Sequence, residues 1–215
     1  MEARLLRFQL DVVEGEIINL IKGEAFPIIE RLLIIAGSHQ SRAFFLKIKA
    51  DYKRYLAEIV KGQELSDTLE EAKILYEQAI SECEYMHSTH PMRLAVSLNY
   101  SVFLAEQTQS LAMAVDVAKA AFEAGLYDLQ SLSEDRMNDT LRVMQLLRDN
   151  YTLWEIDLKA IISKQKAAGH FIEGAEDNNN NDDDEEEEEN EEDLGPVPQE
   201  VQDHRLKVSN QLMMS

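Results

Sequence analysis

Residues 44–58, FFLKIKADYKRYLAE, set the reading of this chain. Lys47, Asp51 and Arg54 follow the spacing i, i+4, i+7, which on a helix places them on successive turns of one face, with Tyr55 beside them. Phe45, Ile48, Tyr52 and Ile59 recur on another face, so the segment is an amphipathic helix. A guanidinium meets phosphate oxygens two at a time, an ammonium adds a point charge and a phenol adds a neutral donor. The polar row therefore has the chemistry of a phosphate cradle. A charged stripe opposite an apolar one is also what any solvated helix face presents, so the pattern alone leaves both readings standing.

Apolar residues keep helical spacing outward from this segment in both directions, up to about Lys164, and no alternating β-branched run bounded by tight-turn dipeptides interrupts them. The fold class is all-α: an antiparallel bundle or array of about six long helices joined by short loops. The first covers roughly 3–35, with Leu5, Leu6, Phe8, Val12, Ile17, Leu20 and Ile21 as its apolar face. Pro27 lacks a backbone donor and clashes with the preceding turn, which predicts a kink or break near Ala25 and Phe26. The second helix is expected over 41–61, ending at Gly62. Asp67 and Glu70 have capping-box spacing and are expected to open the third, whose buried face is Leu69, Ala72, Tyr76, Ala79, Ile80 and Cys83. Pro91 opens a fourth over 91–108, an alanine-rich fifth follows over 110–129, and the last runs from 133–135 to about Lys164.

The chain has 215 residues and a formal net charge of −20, unevenly spread. Residues 176–193 hold 13 acids and no base, so the remainder carries only −7. Such a run has no apolar partners with which to offset the entropy of ordering. The expected organisation is a helical domain over 1–170 and a disordered acidic tail over 171–215, with a weak helix in 201–215. The acidic balance opposes binding to nucleic acid or to anionic membranes, so any phosphate site must be a local basic island. With one cysteine, Cys83, no intrachain disulfide can form. No cleavable signal and no membrane-length apolar run is evident, and the expected location is cytoplasmic or nuclear.

Motifs for catalysis are missing: there is no glycine-rich phosphate loop, no nucleophile elbow and no zinc-protease histidine pair, so neither an enzyme nor a cofactor is expected. Cys83, His87 and His90 are the nearest approach to a metal set, but His90 falls past the helix end and no fourth ligand is evident. Two other segments share the character of the first. In residues 90–103, HPMRLAVSLNYSVF, Leu98, Asn99 and Val102 form with Glu106 a stripe of apolar groups and one amide. In residues 144–154, MQLLRDNYTLW, Leu146 and Asn150 share a face with Trp154, and Val143 precedes them at the same spacing. An amide both donates to and accepts from a peptide backbone, while Leu, Val and Trp pack against its side chains, so two such stripes suit a groove for an extended peptide.

These three stretches, in this order and at about this separation, resemble the signature segments of the 14-3-3 family of phosphoserine and phosphothreonine adaptors, and a weaker likeness extends over roughly 10–157. The resemblance implies an all-helical domain whose amphipathic groove binds phosphorylated partner proteins. It implies that Arg54 and Tyr55 are phosphate ligands with Lys47 as a basic neighbour, and that Asn99 and Asn150 grip the peptide backbone. Leu98, Val102, Val143, Leu146 and Trp154 would line the apolar wall, and Asp51 and Glu106 would orient the basic groups. Family members carry two further helices and most of a third ahead of the point where this chain starts. Those helices supply the main dimer contacts and two more phosphate-binding cations, so weakened binding and no firm homodimer are expected. Arg142 stands where a groove leucine is usual. The competing expectation is an acidic, chaperone-like scaffold that holds basic partners through the run of 13 acids.

Overall fold

The computed structural model describes residues 2–132 and 134–173, and all the regular structure among them is helical. The expected tail, including the weak helix over 201–215, lies outside the described residues. The helices are α1 (Glu2–Asn19), α2 (Phe26–Ile35), α3 (His39–Ala57), α4 (Gln63–Cys83), α5 (Pro91–Gln107), α6 (Leu111–Asp128) and α7 (Glu134–Glu173). A π-helical segment, Leu20–Ala25, joins α1 to α2.

The α-helical pattern is interrupted just ahead of Pro27, at the expected place near Ala25 and Phe26, but the chain does not leave the helix. The Phe26 N–H donates to the Ile21 carbonyl, one residue further back than in an α-helix, so the register slips by one residue just ahead of the proline. That slip relieves the clash expected between the pyrrolidine ring and the preceding turn, and the chain stays helical from Glu2 to Ile35.

Two boundaries differ from the sequence expectation around Gly62. α3 ends at Ala57, four residues early, and Gly62 does not terminate it; with φ of 63° it is the residue that starts α4. The left-handed conformation serves to reverse the chain into the next helix, a role open to glycine at little cost. Asp67 and Glu70 do not open α4, which begins at Gln63; Asp67 instead accepts from the Gln63 side-chain amide at 2.8 Å within the first turns. Asp67 has the right residue three positions on, but Gly62 already supplies the turn five residues upstream.

Consecutive helices pack on each other from α2 to α7, and α5 also reaches α3 and α7. The main core joins α4, α5, α6 and α7 around Tyr76, Leu94, Phe103, Leu104, Leu111 and Leu147. Ala114 and Ala118 on α6 are fully buried, and their small side chains let the helices approach closely. A second cluster sets Ala43 and Leu46 of α3 against Ala79 and Cys83 of α4 and Val96 of α5. A third sets Ile21, Phe26 and Ile29 against Leu56. The apolar face expected on the first helix is largely uncovered: Leu5, Leu6, Phe8 and Leu20 are each more than half exposed, and Ile21 is its buried member. α5 is thus the central helix, and its faces carry both the core and Asn99, Val102 and Glu106.

Candidate functional site

The polar row of α3 is not a solvated face. Asp51 is 8% exposed and Arg54 is 6% exposed, because α4 and α5 pack over this side of the helix. Burial of charge demands partners, and Asp51 has three, from three helices. Its Oδ1 accepts from the Tyr76 hydroxyl of α4 at 2.5 Å and from Asn99 Nδ2 of α5 at 3.0 Å, while Oδ2 accepts from Lys47 Nζ one turn back at 2.7 Å. Lys47 is therefore held by Asp51, with its side chain about one-fifth exposed.

Arg54 is differently placed. The Glu106 carboxylate of α5 is 3.7 Å from Nη1, and the guanidinium lies 4.8 Å from the centre of the Tyr55 ring, within cation–π range. Nη1 itself has no hydrogen-bond partner. Burial works against the charge, but the fields of Tyr76, Tyr55, Glu106 and Asp51 outweigh it and hold the guanidinium above its ordinary pKa. Burial also pushes the Tyr55 phenol up, against the pull of Arg54, so Tyr55 stays a neutral donor. A permanent cation with an unpaired N–H beside a phenol O–H can hold an oxyanion such as a phosphate group.

The apolar residues named from sequence also come together. Leu98, Val102 and Trp154 are buried in the main core, with Val143 and Leu146 half-buried against it. Asn150, one turn before Trp154, is 4% exposed and its Nδ2 has no hydrogen-bond partner. Asn99 by contrast commits its amide N–H to Asp51 and keeps its carbonyl oxygen as an acceptor. Arg142 is exposed.

Sequence reasoning assigned Tyr76 to the buried face of α4 and gave it no part in the site. Its ring packs against Tyr100 and Phe103, and its hydroxyl bonds Asp51. A tyrosine in an otherwise apolar stripe carries a hydroxyl that must find a partner once buried, which was the available signal. The neighbouring cations are spoken for by acids: Lys49 pairs with Glu30 at 2.8 Å and Lys53 with Glu71 at 2.5 Å. The three residues that came nearest to a metal set have other roles. His87 Nδ1 bonds the Thr89 hydroxyl, His90 Nδ1 accepts the Met92 N–H at the start of α5, and burial raises the Cys83 thiol to about 11.

A family model described as 14-3-3 protein matches residues 2–155. The chain belongs to the 14-3-3 family. Its similarity to 14-3-3-like protein C of Glycine max is 37% identity over 175 residues, covering 81% of this chain and 67% of that protein. To 14-3-3 protein theta of Mus musculus it is 38% over 156 residues, covering 72% and 63%. To 14-3-3 protein beta/alpha-1 of Oncorhynchus mykiss it is 38% over 153 residues, covering 70% and 62%. The chain thus spans about three-fifths to two-thirds of the length of these relatives. 14-3-3 proteins are non-enzymatic adaptors, in keeping with the missing catalytic motifs. No helix among the described residues is long and apolar enough to cross a membrane.

Proposed function

We propose that this 14-3-3 chain binds phosphoserine or phosphothreonine segments of partner proteins along the face formed by α3, α5 and α7. The observation that carries the proposal is the pair of buried donors without a hydrogen-bond partner, Arg54 Nη1 on α3 and Asn150 Nδ2 on α7. An unmade buried hydrogen bond costs about 1–3 kcal/mol, more for a charged group, so a fold tends to keep one only where a ligand completes it. In this reading Arg54 and Tyr55 take the phosphate oxygens and Lys47 adds positive potential. Asn150 and the carbonyl oxygen of Asn99 hold the peptide backbone, while Leu98, Val102, Val143, Leu146 and Trp154 back its side chains. Glu106 and Asp51 orient Arg54 and Lys47. Arg54 and Lys47 are the basic side chains named for this site, which places the expected affinity on the weak side. Each charge-assisted bond to phosphate is worth about 1.5–3 kcal/mol, or more than tenfold in affinity.

Titration of a phosphoserine peptide and its unphosphorylated twin against the full chain and against Arg54→Ala tests the proposal. A preference for the phosphorylated peptide that disappears in Arg54→Ala is expected. Equal affinities for the two peptides, or a preference that survives the substitution, rule it out.

A further inference from the structure

Tyr76 lies near the middle of α4, with 0% of its surface exposed, too deep to touch a peptide in the groove. What it does touch is Asp51 Oδ1, from its hydroxyl at 2.5 Å, next to the Asn99 amide at 3.0 Å. Asp51 and Arg54 are three residues apart on α3, neighbours on one helix face. Between a buried carboxylate and a buried guanidinium so placed, the strong alternative is a two-pronged ion pair. It does not form. Asp51 spends its oxygens on Tyr76, Asn99 and Lys47, and Arg54 Nη1 is left with no hydrogen-bond partner.

We infer that Tyr76 is a positioning residue of the phosphate site: by holding Asp51 Oδ1 it keeps the carboxylate turned toward Lys47 and Asn99 and off Arg54, whose Nη1 then remains for a phosphate. The inference rests on the phosphopeptide reading of Arg54. Two further observations support it. Burial, reinforced by the Asp51 charge, raises the Tyr76 phenol well above its ordinary value, so it remains an O–H donor. Its ring packs against the stacked pair Tyr100 and Phe103, with centroids 5.6 and 5.4 Å away, so the hydroxyl is aimed at Asp51 by packing rather than by the bond alone. The Asp51 carboxylate is in effect an internal competitor for the phosphate, and Tyr76 is part of what keeps it engaged elsewhere.

The test is a titration of a fluorescent phosphoserine peptide, with its unphosphorylated twin, against the full chain carrying Tyr76→Phe, Asp51→Asn or both. Tyr76→Phe keeps the ring and removes only the hydroxyl. It should weaken phosphopeptide binding by about fivefold to tenfold, the net worth of one ordinary hydrogen bond. The same substitution made on Asp51→Asn should cost less than about twofold, because a neutral amide no longer competes as an anion for Arg54. A loss of packing would weaken binding equally in both backgrounds, and that result overturns the inference, as does wild-type affinity in Tyr76→Phe. Asp51→Asn alone should bind phosphopeptide more tightly than wild type, and weaker binding counts against the inference even if Tyr76→Phe does not fold. If wild type itself fails to prefer the phosphorylated peptide, the phosphopeptide reading falls and takes this inference with it. A wild-type preference left untouched by Tyr76→Phe removes the inference alone.

Discussion

Asp51→Ala tests the hydrogen-bonded hub independently of any ligand. The substitution strands three donors of unequal burial. The Tyr76 hydroxyl, on a side chain with no exposed surface, has no route to water, so its lost bond costs about 1–3 kcal/mol. The Asn99 amide is only part-buried and Lys47 is about one-fifth exposed, so both can turn to solvent and together cost about 1 kcal/mol. Asp51→Ala should therefore destabilise the domain by about 2–4 kcal/mol. Tyr76→Phe removes the donor that cannot be rescued. In that background Asp51→Ala should cost about 1–2 kcal/mol less than in wild type, a coupling of the size found for residues in direct contact. Urea denaturation of wild type, both single variants and the double, followed by far-UV circular dichroism, measures every corner of the cycle. Additive single effects would mean that the Tyr76 hydroxyl bond to Asp51 contributes nothing, and the account of the hub given above would be wrong.

Three further outcomes are expected. With its thiol raised to about 11, Cys83 should react with a disulfide reagent at pH 8 about a hundredfold more slowly in the folded protein than in urea, and a rate near that of the unfolded chain would contradict its burial. The Arg42 hydrogen bond, aided by His39 and opposed by partial burial, lowers the Glu82 carboxyl. Because the folded value lies below the unfolded one, the stabilisation is present above the ordinary carboxylate pKa of about 4.3 and is lost as pH falls through the lowered value. Glu82→Gln should therefore reduce melting temperature at neutral pH and narrow that difference in acid, and a difference independent of pH would refute the assignment. Deleting residues 174–200 should leave phosphopeptide binding largely intact; loss instead of a strongly salt-sensitive interaction with a basic partner would favour the scaffold reading of the 13-acid run.

How much was legible in the sequence depended on the range of the interaction involved. Helical periodicity is local, so helices over about 3–35, 91–108 and 110–129 were read almost to their observed ends. The signals around Gly62 were ambiguous because a glycine can close one helix or open the next, and only the packing of α3 on α4 decides between them. The π-helical slip ahead of Pro27 is likewise a backbone adjustment that residue types do not announce.

The sequence by itself determined the helical class, the family and the candidates Lys47, Asp51, Arg54, Tyr55, Asn99 and Asn150, because periodicity, motif order and side-chain chemistry travel with the chain. Only the tertiary structure decided what those residues are to one another. In isolation the α3 row is equally a solvated stripe; once α4 and α5 cover it, Asp51 and Arg54 lose most of their water and must find partners or go without. Tyr76 approaches from one helix and Asn99 from another, and their donors engage the carboxylate while Arg54 Nη1 is left without a hydrogen bond. Which of two buried charged groups finds hydrogen-bond partners and which keeps an unmet donor depends on distances across three helices, and no spacing along one of them contains that information.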